Sequence, residues 1–480
     1  MSPAKPRHDP LAAVLLAGGL AVVGFRLWTS LCFFPLPEWN SVRLAPSFML
    51  RFGTTPYPGL DGGALTTWIY GPVPLLLNLP ATLAHDSIAA LLIAEVITLL
   101  CAVGPAALAV LAGPSPDAAA TRTDRTWALL LCLSLWPNPG LHYIQADNAA
   151  VAFGLLSNWL LARRRAGAHA RWGTAALCAA LAVWSKQTAL GLVLAQSLWL
   201  ACSAGRAAAV RHAVACAACG LALGGIFVVW FGFDGLWLNL VRIPGRIPFA
   251  PDFLERTLAF KLHLAGYVLL PAALLVFAGH AIWRRDSEWL LPVLCWLCLL
   301  PAGLVATYRI GGATNSLNAF LYLLPPATLA LIGWLRRRSP GTAHAWTAAA
   351  VTAVVFQQLV AAPLVPLHPL TAHLEQAEAL AQRYPGRIYF PWHPLVTFFS
   401  DRRFYHAEDG LYTRSTVNLE PAPELARRDL PPAWTLSAFP GWRDEGRFKV
   451  LQPPDAKRSF FGKWTLYSWP AAEGSRHNAK

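Results

Sequence analysis

"LAVWSKQTALGLVL", residues 181–194, decides how the chain is read. It lies in a run from Gly173 to Ser203 that is otherwise almost wholly apolar. A charge at the centre of a bilayer costs at least ~2.5 kcal/mol on the translocon scale. Lys186 therefore belongs either to a soluble core or to a turn between two membrane helices that has a use for a cation. Composition chooses the second. Of 480 residues 55% are hydrophobic and only 13% charged, whereas a soluble globular chain carries roughly 25% charged residues. Apolar runs of about 17–25 residues, long enough to cross a bilayer, recur as far as position 363. The N-terminal apolar run continues to Phe34 past Arg26 without a convincing cleavage site, and reads as a retained first helix.

The net charge of +14 is distributed as topology rather than as a nucleic-acid surface. Basic clusters fall between apolar runs: Lys5/Arg7, Arg122/Arg125, Arg163–Arg165 with Arg171, Arg206/Arg211, Arg284/Arg285 and Arg336–Arg338. The positive-inside rule puts all of them on the cytoplasmic side. That condition is met by crossings near 11–33, 87–112, 126–141, 147–163, 172–185, 187–205, 212–232, 259–283, 288–307, 318–335 and 342–363, about eleven helices. The segment 71–85 is too short and proline-rich to cross, and reads as an interfacial helix. Lys186 then faces the outer compartment together with the first loop (34–86), "LHYIQADN" (141–148), the loop 233–258 and "TYRIGGATNS" (307–316). Arg26 and Glu95 lie at matching depths in two helices, which predicts a structural ion pair.

The fold class expected is therefore mainly α: a polytopic membrane helical bundle over 1–363, followed by a small extracytoplasmic soluble α/β or α+β domain over 364–480. In that domain "GRIYFP" and "KWTLYSW" alternate like strands, and "TAHLEQAEALAQRY" reads as an amphipathic helix. The cysteines sit in apolar helices, so the C-x-x-C spacings at Cys216/Cys219 and Cys295/Cys298 read as small hydrophobes, not metal or redox sites. Walker A, GxGxxG and HExxH patterns are absent.

The first outer loop carries most of the functional signal. Glu38 follows the first helix at once. An amphipathic segment comes next (Val42, Leu44, Phe48, Met49, Leu50), then "GTTPYPG" and "YGPVP". With "QADNAAVAFGLL", "WSKQTAL" and "GGATNSLNAFLYLLPP", this order resembles the GT-C superfamily of membrane glycosyltransferases. That superfamily includes the protein O-mannosyltransferases, the aminoarabinose transferases and their bacterial relatives. Two departures stand out: Glu38 occupies a place often held by Asp, and Gln145-Ala146 precedes Asp147 where Arg-Pro is common.

The resemblance implies a sugar on a polyprenyl phosphate, transferred with inversion to a hydroxyl acceptor on a lipid, glycan or protein. The setting it implies is the outer face of a bacterial cytoplasmic (inner) membrane. A carboxylate must take the hydroxyl proton, worth typically 10²–10⁴-fold; Glu38 and Asp147 are the catalytic candidates. Cations must stabilise the leaving phosphate, and Lys186, Arg242, Arg246 and Arg309 are the candidates for that. His142, Gln187, Tyr57, Tyr70 and Asp61 are substrate-binding candidates, Asp61 also competing as base. Each has a plainer alternative: Asp147 suits a helix N-cap, and Lys186 suits a snorkelling helix end. No metal-ligand set is assigned. A divalent cation shared by Glu38 and Asp147 stays open, although hard cations usually take more oxygens than two side chains provide. The rival readings are a lipid-linked sugar transporter or flippase and a non-catalytic membrane scaffold. The lipid bilayer is a partner in every reading, and nucleic acid in none.

Overall fold

The computed structural model describes residues 38–112, 122–134, 143–163, 172–252, 290–312, 314–338, 372–422, 436–440, 457–461 and 464–468, with a few isolated positions. The expected crossings 11–33, 259–283 and 342–363 fall almost wholly outside the described residues, and so do Arg26 and His142.

The chain is built as a helical membrane protein. Its bundle is made of α3 (Ser87–Ala112), α4 (Arg122–Ser134), α5 (Ala146–Arg163), α6 (Trp172–Ser185), α7 (Leu190–Ala204), α8 (Arg206–Phe231), α11 (Leu290–Tyr308) and α12 (Asn318–Arg338). Among the described residues four helical stretches are long and apolar enough to cross a membrane: Ser87–Leu111, Gln187–Ala204, Arg206–Phe231 and Leu290–Tyr308. At 1.5 Å per residue α8 is about 39 Å long, and α6 only about 21 Å. The short α6 packs against α5, where Ser157 Oγ donates to Ala175 O at 2.8 Å, and its Ala175, Ala176 and Ala179 are buried; small side chains let helices approach closely where lipid supplies no hydrophobic drive. On α8, Val210, Val214, Leu221 and Val229 are exposed, as lipid-facing side chains are.

Polar side chains tie the bundle internally. Gln196 on α7 donates to Ser157 Oγ at 2.8 Å and to Asn158 Oδ1 at 2.9 Å, both on α5. Its Oε1 lies 2.9 Å from His212 Nε2 on α8. Asn158 in turn donates to Cys295 Sγ on α11 at 3.3 Å. Such buried amide contacts join helices in a medium that offers no competing water.

One end of the bundle is covered by irregular chain. Helix α1 (Glu38–Arg51) buries Val42, Leu44, Phe48 and Met49. Asn40 on α1 donates to Glu95 Oε1 on α3 at 2.5 Å, and its Oδ1 accepts from the Ile144 amide at 2.9 Å. That bond occupies one oxygen of the carboxylate expected to meet Arg26. Residues 71–85 form α2 (Val73–Leu77) and a 3-10 turn (Leu79–Leu83), each too short to cross a bilayer. The segment 233–246, expected as loop, coils instead: α9 (Phe233–Trp237), a π turn (Leu238–Arg242) and α10 (Ile243–Arg246).

The C-terminal part contributes α13 (Ala372–Arg383), α14 (Pro394–Asp401), α15 (Glu408–Thr416) and a four-stranded sheet. The strands are β1 (Ile388–Tyr389), β2 (Leu436–Pro440), β3 (Lys457–Phe461) and β4 (Trp464–Ser468), in the order β1-β2-β4-β3 with only the β1–β2 pair parallel. It rests on α1 and the start of α3. Phe48 meets the Phe398 and Phe399 rings at 5.5 and 5.6 Å. Ser87 Oγ donates to Glu378 at 2.6 Å.

Candidate functional site

Lys186 is the break between α6 and α7. Its backbone is extended (φ −148°, ψ 129°), and a 3-10 turn, Gln187–Ala189, follows before α7 begins. The side chain is buried at 6% exposure, and Nζ donates to Asp147 Oδ1 at 2.5 Å. Asp147 lies in the first turn of α5, which starts at Ala146, so the carboxylate pairs with a lysine inside the helix's first turn instead of standing before it as a cap. Nζ also lies 5.5 Å from the centre of the Tyr70 ring. An ammonium has three N–H donors; Asp147 is the single hydrogen-bond partner of Lys186 Nζ among the described residues.

The ion pair lines a narrow cleft of about 30 Å³ between α5, α7, α11 and α12. Thr188 adds a hydroxyl, and Ala150, Val151, Leu192, Leu299 and Leu323 make the rest of the lining largely apolar.

The neighbouring segments converge on this pair. Gly71 N donates to Ser185 O at 3.3 Å. A Cβ on Gly71 would stand 1.6 Å from the Trp184 carbonyl oxygen, so only glycine lets the 70–72 turn lie against the end of α6. Gln187 Nε2 donates to Ile69 O at 3.2 Å and Leu240 O at 3.1 Å, joining the first loop and the 233–246 segment to Lys186. Tyr57 is buried and donates to Tyr70 O at 2.9 Å; burial raises its phenol pKa well above the usual tyrosine range. Asn318 on α12 donates to Asn148 Oδ1 at 3.2 Å, beside Asp147.

The other expected residues spread further. Arg309 is half-buried, donates to Pro244 O and lies 5.8 Å from the Phe249 ring. An antiparallel bridge, with Ala250 N to Tyr308 O and Ile310 N to Pro248 O both at 2.9 Å, places it as a fastener of the 243–250 segment. Arg242 and Arg246 are exposed on that segment. Asp61 is exposed on the first loop. Glu38 is the first residue of α1; its side chain lies outside the described residues. Among the described residues no three His, Cys, Asp or Glu side chains come together to hold a metal ion.

Two arginines had no place in the sequence reading. Arg43 on α1 donates to Thr67 O at 2.7 Å, meets Asp409 of α15 at 3.8 Å, and lies 5.6 Å from both the Trp39 and Tyr70 rings. It thus shares the Tyr70 ring with Lys186. Arg414, also on α15, is 3% exposed, and burial lowers its pKa to about 10. Its Nη2 donates to Pro58 O at 2.9 Å and to Asn239 Oδ1 at 3.2 Å. The Arg43 guanidinium stands on the helix that Glu38 opens, five residues on, the one signal that could have singled it out.

No protein-family model matches the chain, and no curated protein does. Among solved structures it is similar to ArnT from Cupriavidus metallidurans bound to undecaprenyl phosphate, over 96% of this chain and 98% of that one, with a TM-score of 0.48 and 13% identity. It is also similar to the archaeal oligosaccharyltransferase AglB from Archaeoglobus fulgidus in complex with an inhibitory peptide and a dolichol-phosphate. That match covers 89% of this chain and 69% of that one, with a TM-score of 0.44 and 12% identity. Both of those proteins are GT-C glycosyltransferases.

Proposed function

We propose that this chain is an inverting membrane glycosyltransferase of GT-C type with about eleven crossings. It moves a sugar from a polyprenyl-phosphate donor to a hydroxyl acceptor at the extracytoplasmic face of a bacterial inner membrane. The observation that carries the reading is the buried Lys186–Asp147 pair lining an otherwise largely apolar cleft. An amphiphile with a long hydrocarbon tail and an anionic head matches that division of polarity. The tail enters between α5, α7 and α12, and the phosphate meets the Lys186 N–H groups that Asp147 leaves unused. Asp147 balances the lysine's charge while the donor is absent, as a buried cation requires. The motif order along residues 11–335 supports the same class.

In the transfer step the acceptor oxygen bonds to the anomeric carbon, its proton passes to the Glu38 carboxylate, and the bond from the anomeric carbon to the phosphate oxygen breaks. The phosphate leaves with its negative charge, met by Lys186 and by Arg242 and Arg246, whose planar forks suit phosphate. Arg309 serves by fixing their segment. Tyr70 and Gln187 shape the space beside Lys186. The acceptor is a lipid, glycan or protein hydroxyl.

The test is transfer from polyprenyl-phosphate sugars by the purified chain in detergent, where a transporter or scaffold yields no product. Glu38→Gln keeps size and hydrogen bonding but cannot take the proton, so turnover should fall at least ~10²-fold while the donor still binds. Glu38→Asp should retain part of the activity. Near wild-type transfer by Glu38→Gln would move the base to Asp61 or Asp147. Absence of product from the wild type across a donor panel would end the enzyme reading.

A further inference from the structure

Helix α15 belongs to the C-terminal part of the chain, yet its contacts lie on the segments around Lys186. Just before it, His406 Nδ1 accepts from the Leu65 amide at 3.0 Å, and the Ala407 amide donates to Leu65 O at 2.9 Å. Gly410 lies so close that a Cβ there would stand 2.5 Å from Leu65 O. Further along, Arg414 closes a triangle. It donates to Pro58 O and Asn239 Oδ1, while Asn239 Nδ2 itself donates to Pro58 O at 3.1 Å. Val417 and Leu419 beyond the helix cluster with Leu238, which opens the same π turn, and with Ile243, which follows it. That turn ends at Arg242, α10 ends at Arg246, and Leu240 O accepts from Gln187, the residue after Lys186.

We propose that Arg414 is a positioning residue for the donor's phosphate end: it locks Asn239 to Pro58 and so holds the 238–246 segment, with Arg242 and Arg246, beside Lys186. The proposal rests on the donor reading above and gives the C-terminal part a task within the site. A rigid guanidinium fork suits this better than a flexible ammonium, because one planar group meets two acceptors with little further ordering. Both acceptors are neutral, so the guanidinium keeps its charge without drawing a carboxylate toward the phosphate position.

The experiment uses the full-length chain in lipid nanodiscs, with undecaprenyl phosphate as the probe. Arg414→Met keeps the stem and removes the fork. It should weaken undecaprenyl phosphate binding by ~10-fold, the loss of about one charge-assisted contact. It should raise the donor KM similarly, leave kcat at saturating donor within about twofold, and speed amide exchange over 236–243. Arg414→Lys should recover part of the affinity. A merely structural role would lower the melting temperature and leave KM and affinity of the folded fraction unchanged; that result, or unchanged exchange, overturns the proposal. Should Arg414→Met fail to fold, Asn239→Leu removes the same contact from the other side and takes the same measurements. If the wild type binds no undecaprenyl phosphate, the donor reading fails separately. The clamp is then decided by exchange alone, faster over 236–243 in Arg414→Met if it exists and unchanged if it does not.

Discussion

Lys186 could be singled out because a charge in an apolar run is conspicuous, but its partner could not. Asp147 stands 39 positions earlier in another helix, and nothing in local spacing pairs them. The same limit hid Arg43, whose carboxylate partner, Asp409, lies far along the chain. The buried pair has a consequence of its own. Lys186 and Asp147 are both almost fully buried, so removing one partner strands a charge, which costs about 3–5 kcal/mol. Lys186→Met and Asp147→Asn should each lower the unfolding free energy measured in detergent by that order, and the double variant should recover most of it. Transfer should not recover, because the phosphate still lacks its cation. A double variant no more stable than the sum of the singles would show that the two charges are uncoupled. Recovery of transfer would remove Lys186 from the donor site.

Among the elements, the sequence was clearest where prolines and runs are unambiguous and weakest where they overlap. Pro72, Pro74 and Pro80 cut the 71–85 segment into pieces too short to cross, and the structure has two five-residue turns there. The same reasoning misled over 233–246. Gly232, Pro244, Gly245 and Pro248 read as loop punctuation, yet Leu236, Leu238 and Ile243 are buried, and burying them coils the segment. Its contacts, to Pro58, Gln187 and α15, come from three distant parts of the chain, so no window of sequence contains the reason. Gly71 shows how tight this junction is. An added methyl meets a backbone carbonyl, which cannot rotate away, and such overpacking typically costs 1–3 kcal/mol, occasionally more. Gly71→Ala should lower the melting midpoint and abolish most transfer by pushing Tyr70 off Lys186. Gly245→Ala, at the same end of the molecule but with nothing within 4 Å of the new Cβ, should behave like the wild type. Equal effects from the two would mean that the 70–72 turn does not set the geometry of the Lys186 pocket.

At the scale of the whole molecule, polar function is concentrated at one end. Contacts run from Asn40 to Ile144, from Asp147 to Lys186, from Gln187 to Ile69 and Leu240, from Arg309 to Pro244 and from Asn318 to Asn148. The C-terminal part closes over the same end through Glu378, Asp409 and Arg414. The gathering of separate loops on one face was legible in the sequence because the arginine clusters sort the loops into two sets. The identity of each contact was not, since it depends on how helices of unequal length pack. This architecture requires all these loops to share one compartment, and the charge bias predicts that it is the side away from the basic clusters. Single cysteines placed at residue 240 and at the C-terminus should therefore react with an impermeant thiol reagent added to intact spheroplasts. Cysteines at 167 and 338 should react only after permeabilisation. The native cysteines of the described helices are free, so the measurement belongs in a background where they are replaced by alanine or serine and folding is checked. Labelling of 240 and the C-terminus from opposite sides would contradict the contact between Arg414 and Asn239 directly. Labelling of both from the cytoplasm, with 167 and 338 outside, would invert the molecule and place the Lys186 cleft where the extracytoplasmic donor reading does not allow it.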